Sequence, residues 1–263
     1  MKNILSIAGS DPSGGAGIQA DLKSISANGG YGMAVITALT AQNTKGVSAI
    51  KILPRQFIKQ QLESIFEDIN VHSIKIGMIA NLEIGEIIFE FLNNIKIQNI
   101  VLDPVMIAKG GHSLIDSNAI RILKEKLIPI SSLITPNLPE AAKLLNVNTP
   151  KNVEEMENVA TNLYQYYNIN VFLKGGHLEG NFSPDLLVTN KNKHWLKSDR
   201  LKTLNTHGTG CTISSAIATY LAQGLSVYDS VKNSKDYVYK AIKYSSELKV
   251  GSGHGPLNHF FKE

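Results

Sequence analysis

The sequence predicts an α/β protein: a parallel sheet flanked by helices. Two observations predict it. Short apolar runs rich in β-branched residues recur along the chain, and each gives way to turn residues and then to a segment of helical spacing. A third observation concerns ligands. Several of the runs end in glycine-rich stretches, and open parallel sheets bind their ligands beyond the carboxyl ends of the strands.

In chain order, strands are expected near Asn3 to Ala8, Met33 to Ala38, Ser73 to Gly77, Ile100 to Asp103, Leu133 to Thr135 and Val171 to Lys174. A hairpin is expected from Leu186 to Thr189 and His194 to Leu196, joined across the polar turn NKNK. Helical spacing fits Ala16 to Asn28, Arg55 to Asn70, Leu82 to Asn94, Ser117 to Lys126, Pro139 to Leu145, Val153 to Tyr167, Thr209 to Gln223 and Ser226 to Leu248. The helix after Cys211 is the best marked. Ile213, Ala216, Ile217, Tyr220 and Leu221 fall on one stripe, and Gly224 stands where a left-handed residue closes a helix.

Length and composition narrow the classes. A chain of 263 residues, 43% hydrophobic and 18% charged, buries a core without disulfides, and one domain spanning residues 1 to 263 is expected. No apolar run reaches the length of a membrane span, and the N-terminal MKNILSIAGSD reads as a first strand, not a signal peptide. The single cysteine agrees with a reducing cytoplasm. A net charge of +4 comes from scattered lysines, with no basic stripe, so neither nucleic acid nor membrane is an expected partner. A small anionic ligand stays open.

Five loops carry candidate chemistry. GSDPSGGAG, Gly9 to Gly17, lets backbone approach a ligand closely. It has the glycine spacing of a phosphate-binding P-loop but Gly15 and Ala16 where Lys and Ser or Thr are needed, and it lacks the downstream acid of a dinucleotide site. Asp21 and Gln42 have the donors and acceptors to read the edge of a small heterocycle. Asn137-Leu-Pro-Glu140 reads locally as a helix cap, and alternatively as a phosphate and Mg²⁺ site. Lys174, before Gly175-Gly176, reads either as an idle surface charge or as a phosphate contact. Finally, His207-Gly-Thr-Gly-Cys-Thr212 sets backbone N–H groups and a helix dipole at one point, an anion site whatever side chains it carries.

Taken in order, AGSDPSGGAGIQADLK, TALTAQNT, KIGMI, LDPVM, LITPNLPEA, LKGGH, NTHGTGCT and VGSGHGP resemble the hydroxymethylpyrimidine/phosphomethylpyrimidine kinases, the thiamin-pathway members of the ribokinase superfamily. The resemblance runs from about Ile4 to His259. It implies a ribokinase-like three-layer α/β/α fold, its mostly parallel central sheet covered by helices on both faces, and usually a homodimer. The implied activity is ATP- and Mg²⁺-dependent phosphorylation of 4-amino-5-hydroxymethyl-2-methylpyrimidine and then of its monophosphate. At matching positions, Gly9, Asp21, Gln42, Met78 and Val105 are implied in the pyrimidine pocket, Asn137, Glu140 and Lys174 in binding ATP and phosphate, with Glu140 orienting hydrated Mg²⁺. Gly208, Thr209, Gly210 and Cys211 are implied in the hole around the transferring phosphoryl group. The VGSGHGP segment, Val250 to Pro256, belongs to the pattern without an assigned role.

Related sugar kinases place an aspartate where Cys211 stands. Two readings of Cys211 follow: a thiolate, its pKa lowered at a helix N-terminus, that accepts the substrate proton, or a side chain that only fits the hole. A pyridoxal or pyridoxine kinase is the nearest alternative function. A non-catalytic ligand sensor and a cysteine-nucleophile hydrolase using His207 are alternatives of other classes.

Overall fold

The computed structural model describes residues 1–106, 117–190 and 192–262. Among them the chain forms one nine-stranded sheet. Its strands are β1 (Lys2–Ser10), β2 (Gly30–Asn43), β3 (Gly46–Ile52), β4 (Ser73–Ile76), β5 (Ile100–Leu102), β6 (Leu133–Ile134), β7 (Asn170–Leu173), β8 (Phe182–Val188) and β9 (Lys193–Asp199). They lie in the order β3-β2-β1-β4-β5-β6-β7-β8-β9. The six central strands are parallel, while β3 at one edge and β8 and β9 at the other run antiparallel.

Helices cover both faces, as a parallel sheet joined by crossovers requires. One face packs α2 (Arg55–Asp68), α3 (Leu82–Leu92), α4 (Ser117–Ile122), α5 (Leu138–Leu145) and α6 (Val153–Tyr167) against residues such as Leu5, Ile7, Ile74 and Ile76. The other face packs α1 (Gly17–Ala27), α7 (Thr209–Ala222) and α8 (Val227–Lys243) against Ile4, Val101, Leu133 and Phe172. Strand alternation sorts these sets: Leu5 and Ile7 point one way, Ile4 and Ser6 the other.

Three elements depart from the sequence expectation. The second strand extends through Gln42 to Asn43 and turns back as β3, a hairpin the sequence hides because GVSAIKI is exposed over most of its length and lacks a buried face. The segment from Ser117 forms α-helix only to Ile122. A π-helical turn then follows, Ile128 N–H donating to Leu123 C=O at 2.9 Å, and buries Leu123, Leu127 and Ile128 together. The last long helix stops at Lys243 and gives way to a 3₁₀ turn, Tyr244–Glu247.

After that turn the chain recrosses α7. His259 is 3% exposed, its Nε2 meets Thr212 Oγ1 at 2.9 Å, and its carbonyl accepts from Tyr237 Oη. Burial, with the nearby Lys23 charge, pushes its pKa down to about 4. The imidazole is therefore neutral when folded but takes up a proton when unfolded at mildly acid pH. Its contribution to stability is complete above about pH 6.5 and is lost as pH falls toward 4, roughly 3 kcal/mol in all. Urea unfolding of His259→Gln against pH is expected to show a shallower loss across this window than the parent chain; parallel curves would contradict the assignment.

Candidate active site

The loops beyond the carboxyl ends of the parallel strands converge on one cleft of about 860 Å³, room for a small heterocycle and a nucleotide together. Gly9, Gln42, Met78, Val105, Asn137, Glu140, Lys174 and the run Gly208 to Cys211 all line it. The structure thus brings together every sequence-predicted site residue except one.

The exception is Asp21, which is fully buried and absent from the cleft wall. Its oxygens are already engaged: Oδ1 accepts from Lys75 Nζ at 2.9 Å and Ser215 Oγ at 2.8 Å, Oδ2 from Lys75 at 2.7 Å and Ser6 Oγ at 2.6 Å. It is a counter-ion, not a reader of substrate. Lys75, in contrast, reaches the cleft floor. Burial alone pushes its pKa down, but Asp21 more than reverses this and the ammonium is held charged. Lys75 stands beside Ser6 in the β1–β4 register, and Gly77 leaves the space its ammonium takes, since a Cβ there would lie 2.6 Å from Nζ.

At one end of the cleft, glycines set the backbone. Gly208 begins α7 with φ +81°, and a Cβ on it would meet the Gly15 carbonyl at 1.8 Å. Only glycine fits both demands. The first-turn N–H groups of α7 have no partners within the helix, so this terminus can bind an anion in the cleft. Burial pushes the Cys211 thiol up to about 11; Asp21 and Asp103 raise it further, while Lys75 and the Gly17 backbone lower it. The lowered pKa required of a resting thiolate is therefore not found.

Beside this terminus stands an ion pair. Lys174 Nζ lies 2.8 Å from Asp103 Oδ1, which also accepts from Thr135 Oγ1. Gly210 lets the pair come close: a Cβ there would lie 3.2 Å from Asp103 Oδ2 and 3.3 Å from Lys174 Nζ. Asn137 and Glu140 do form the capping box, Glu140 N–H to Asn137 Oδ1 at 2.9 Å and Asn137 N–H to Glu140 Oε2 at 2.8 Å. Burial, and secondarily Asp103, push Glu140 up to about 7 against the pull of Lys174. The loop after Lys174 is held by Arg200, whose guanidinium donates to the carbonyls of Gly176, Leu178, Gly180 and Phe182.

Asp103, Lys75, Asp11 and the full part played by His207 escape a reading of the loops alone. Two left a signal. Lys75 is the lone charge in the apolar run SIKI, and Asp103 is the lone acid ending IVLD.

Among the described residues no three metal-ligating side chains gather into a cage. A hydrated Mg²⁺ does not need one, being held mainly by phosphates and one or two carboxylates, and Asp103 and Glu140 in one cleft fit that habit.

A family profile described as phosphomethylpyrimidine kinase matches residues 11–258. The hydroxymethylpyrimidine/phosphomethylpyrimidine kinase of Escherichia coli K12 is 45% identical over 258 residues, covering 98% of this chain and 97% of that one. The thiamine biosynthesis bifunctional protein ThiED of Geobacter sulfurreducens is 47% identical over 98% of this chain; the chain spans about half, 52%, of that relative's length. The pyridoxal kinase of Staphylococcus aureus, solved in complex with AMP-PCP and pyridoxal, superposes with a TM-score of 0.90 at 32% identity, covering 99% of this chain and 94% of that one.

Proposed function

Because this chain belongs to the phosphomethylpyrimidine kinase family, we propose that it phosphorylates 4-amino-5-hydroxymethyl-2-methylpyrimidine with ATP and then phosphorylates the monophosphate to the pyrophosphate, as one kinase domain spanning residues 1–263. The observation that carries this reading is the shared cleft: one set, Gly9, Gln42, Met78 and Val105, and a second, Asn137, Glu140 and Lys174, line it together with the α7 terminus. A hydroxyl held by the first set faces a phosphoryl group held by the second.

Phosphoryl transfer asks mainly for position and charge neutralisation. The N–H groups of Gly208 to Cys211 take the charge on the transferring group. Lys174, kept cationic by Asp103 and Glu140 against its own burial, supplies a fixed positive charge beside them. Mg²⁺, when bound, would neutralise the phosphates, with Glu140 holding its water shell and Asn137 contacting a phosphate. The Cys211 thiol fills the hole and holds the substrate hydroxyl, and the proton leaves late to phosphate. ATP supply makes the cytoplasm the proposed compartment, and no helix among the described residues is long and apolar enough to cross a membrane.

The homodimer is proposed at the free edge of β3. Ile50 and Ile52 are 42% and 38% exposed on one face of that strand, and an unpaired apolar edge strand invites another chain. Sedimentation of Ile50→Lys/Ile52→Lys is expected to show monomer where the parent shows dimer; a parent monomer, or a dimer that survives the lysines, would contradict it.

A coupled assay is expected to show turnover of hydroxymethylpyrimidine and of its monophosphate; turnover of pyridoxal alone would overturn the reading. In the same assay Cys211→Ser is expected to lose less than about tenfold on both substrates, below the roughly 100-fold cost of a removed general base. A loss of that larger size confined to the first substrate would restore the thiolate.

A further inference from the structure

His207 joins three parts of the cleft that are far apart in sequence. Its Nε2 lies 2.8 Å from Asp11 Oδ2 and 3.2 Å from the terminal amide of Gln42, and the residue itself immediately precedes Gly208. The ring is locked. A Cβ on Gly15 would lie 2.4 Å from its Cδ2, so it packs flush on the first glycine loop, and its backbone N–H donates to Gly255 C=O at 3.0 Å. Asp11 is locked as well, accepting from the N–H and Oγ of Ser13 at 2.9 and 2.7 Å and from Ala16 N–H at 2.9 Å.

A carboxylate accepts and never donates, so the Nε2 facing Asp11 carries a hydrogen in either charge state of the ring. The amide atom of Gln42 beside that same Nε2–H must then be an acceptor, because an amide N–H placed there would set donor against donor. The two ends of an amide have nearly the same shape and are told apart by their partners. The structure sets Gln42 Nε2 toward His207 and Oε1 toward Thr40; exchanging the two ends puts the oxygen toward His207 and the nitrogen 3.1 Å from Thr40 Oγ1, and leaves the Thr40 hydroxyl to donate to Ser10 C=O at 3.0 Å. Every hydrogen in that chain has an acceptor. In the opposite orientation the Nε2–H still reaches Asp11, but a Gln42 N–H is turned on it, and the single Thr40 hydrogen is asked to serve both the Gln42 oxygen and Ser10 C=O.

Resting on the substrate reading above, we propose that His207, held by Asp11, is a specificity-determining positioning residue that fixes the polarity of the Gln42 amide. The amide then keeps one lone pair and one N–H for the ligand in a set order. That pair complements an amino group next to a ring nitrogen, the edge of an aminopyrimidine, and not a hydroxypyridine. The proposal also gives the segment from Val250 to Pro256 a task. Gly253 N–H donates to Thr44 Oγ1 and His254 N–H to Thr44 C=O, while Gly255 C=O accepts from His207 N–H. The segment thereby straps the β2–β3 turn, just beyond Gln42, to the loop that carries His207.

The test measures Kd by calorimetry for hydroxymethylpyrimidine, pyridoxal and AMP-PCP. His207→Leu is expected to weaken hydroxymethylpyrimidine about 30-fold, and pyridoxal and AMP-PCP less than about threefold. His207→Gln, whose amide can again donate at the Nε2 position, is expected to recover affinity to within about fivefold. Thr40→Val tests the far end of the chain on a half-buried strand position and is expected to shift the same selectivity by a smaller factor. Parallel losses for both heterocycles, a glutamine no better than leucine, or unchanged selectivity in Thr40→Val would overturn the proposal. Should the leucine variant not fold, the other two decide. A parent chain that binds pyridoxal and not the pyrimidine would sink the substrate reading itself, whereas a parent that binds the pyrimidine with variants of unchanged selectivity sinks only the role of His207.

Discussion

Lys75 and Asp21 form an ion pair with no solvent exposure on either side chain, at 2.7 Å, and the cleft is built above it. The two charges come from β4 and α1, and their remaining hydrogen bonds go to Ser6 on β1 and Ser215 on α7. Four elements therefore meet at one electrostatic point. Two of them are the helices whose N-termini carry the glycine loops. A buried pair costs much in desolvation and is retained where it specifies position, and here it fixes α1 and α7 beneath the anion site. Its ammonium end lies toward the cleft floor and its carboxylate end away from it.

Above that point, close contacts replace side chains. Gly17 packs on Gly9, Gly208 on Gly15, and Gly253 on Thr44, each so near that a Cβ would lie within 2.2 Å of a carbonyl atom. Loops interlocked this way have little freedom to move apart. Such rigidity suits a reaction in which preorganised N–H groups and fixed charges do most of the stabilising. Burial in this interlocked setting also pushes the Cys211 thiol up to about 11, in line with a position that is shaped and not ionised.

Much of this could be read in the sequence. The central strands announce themselves by buried β-branched runs, and the stripe from Ile213 to Leu221 marks α7 with little ambiguity. The glycine loops pointed to the right ends of the strands. What was hidden is hidden for physical reasons. The strand β3 lacks a buried face, so no alternation betrays it. Asp21 looks like a ligand-reading acid because its sequence neighbours are glycine-rich, and nothing local says that a lysine 54 residues away takes both of its oxygens. Asn137 and Glu140 were ambiguous between cap and site, and the structure makes them a cap that also faces the cleft, which no local pattern separates. The Asp11–His207 contact joins positions 196 apart, beyond the reach of any motif.

The Lys75–Asp21 pair is the seat of the two loops, and a double-mutant cycle measures it directly. Urea unfolding of Lys75→Met, Asp21→Asn and the double variant gives their coupling. Each single variant strands a buried charge, so each should lose about 3 kcal/mol or more, and the double variant should be more stable than their sum by about 2 to 3 kcal/mol. Losses that simply add would show that the two side chains stabilise the protein independently, and would contradict the account.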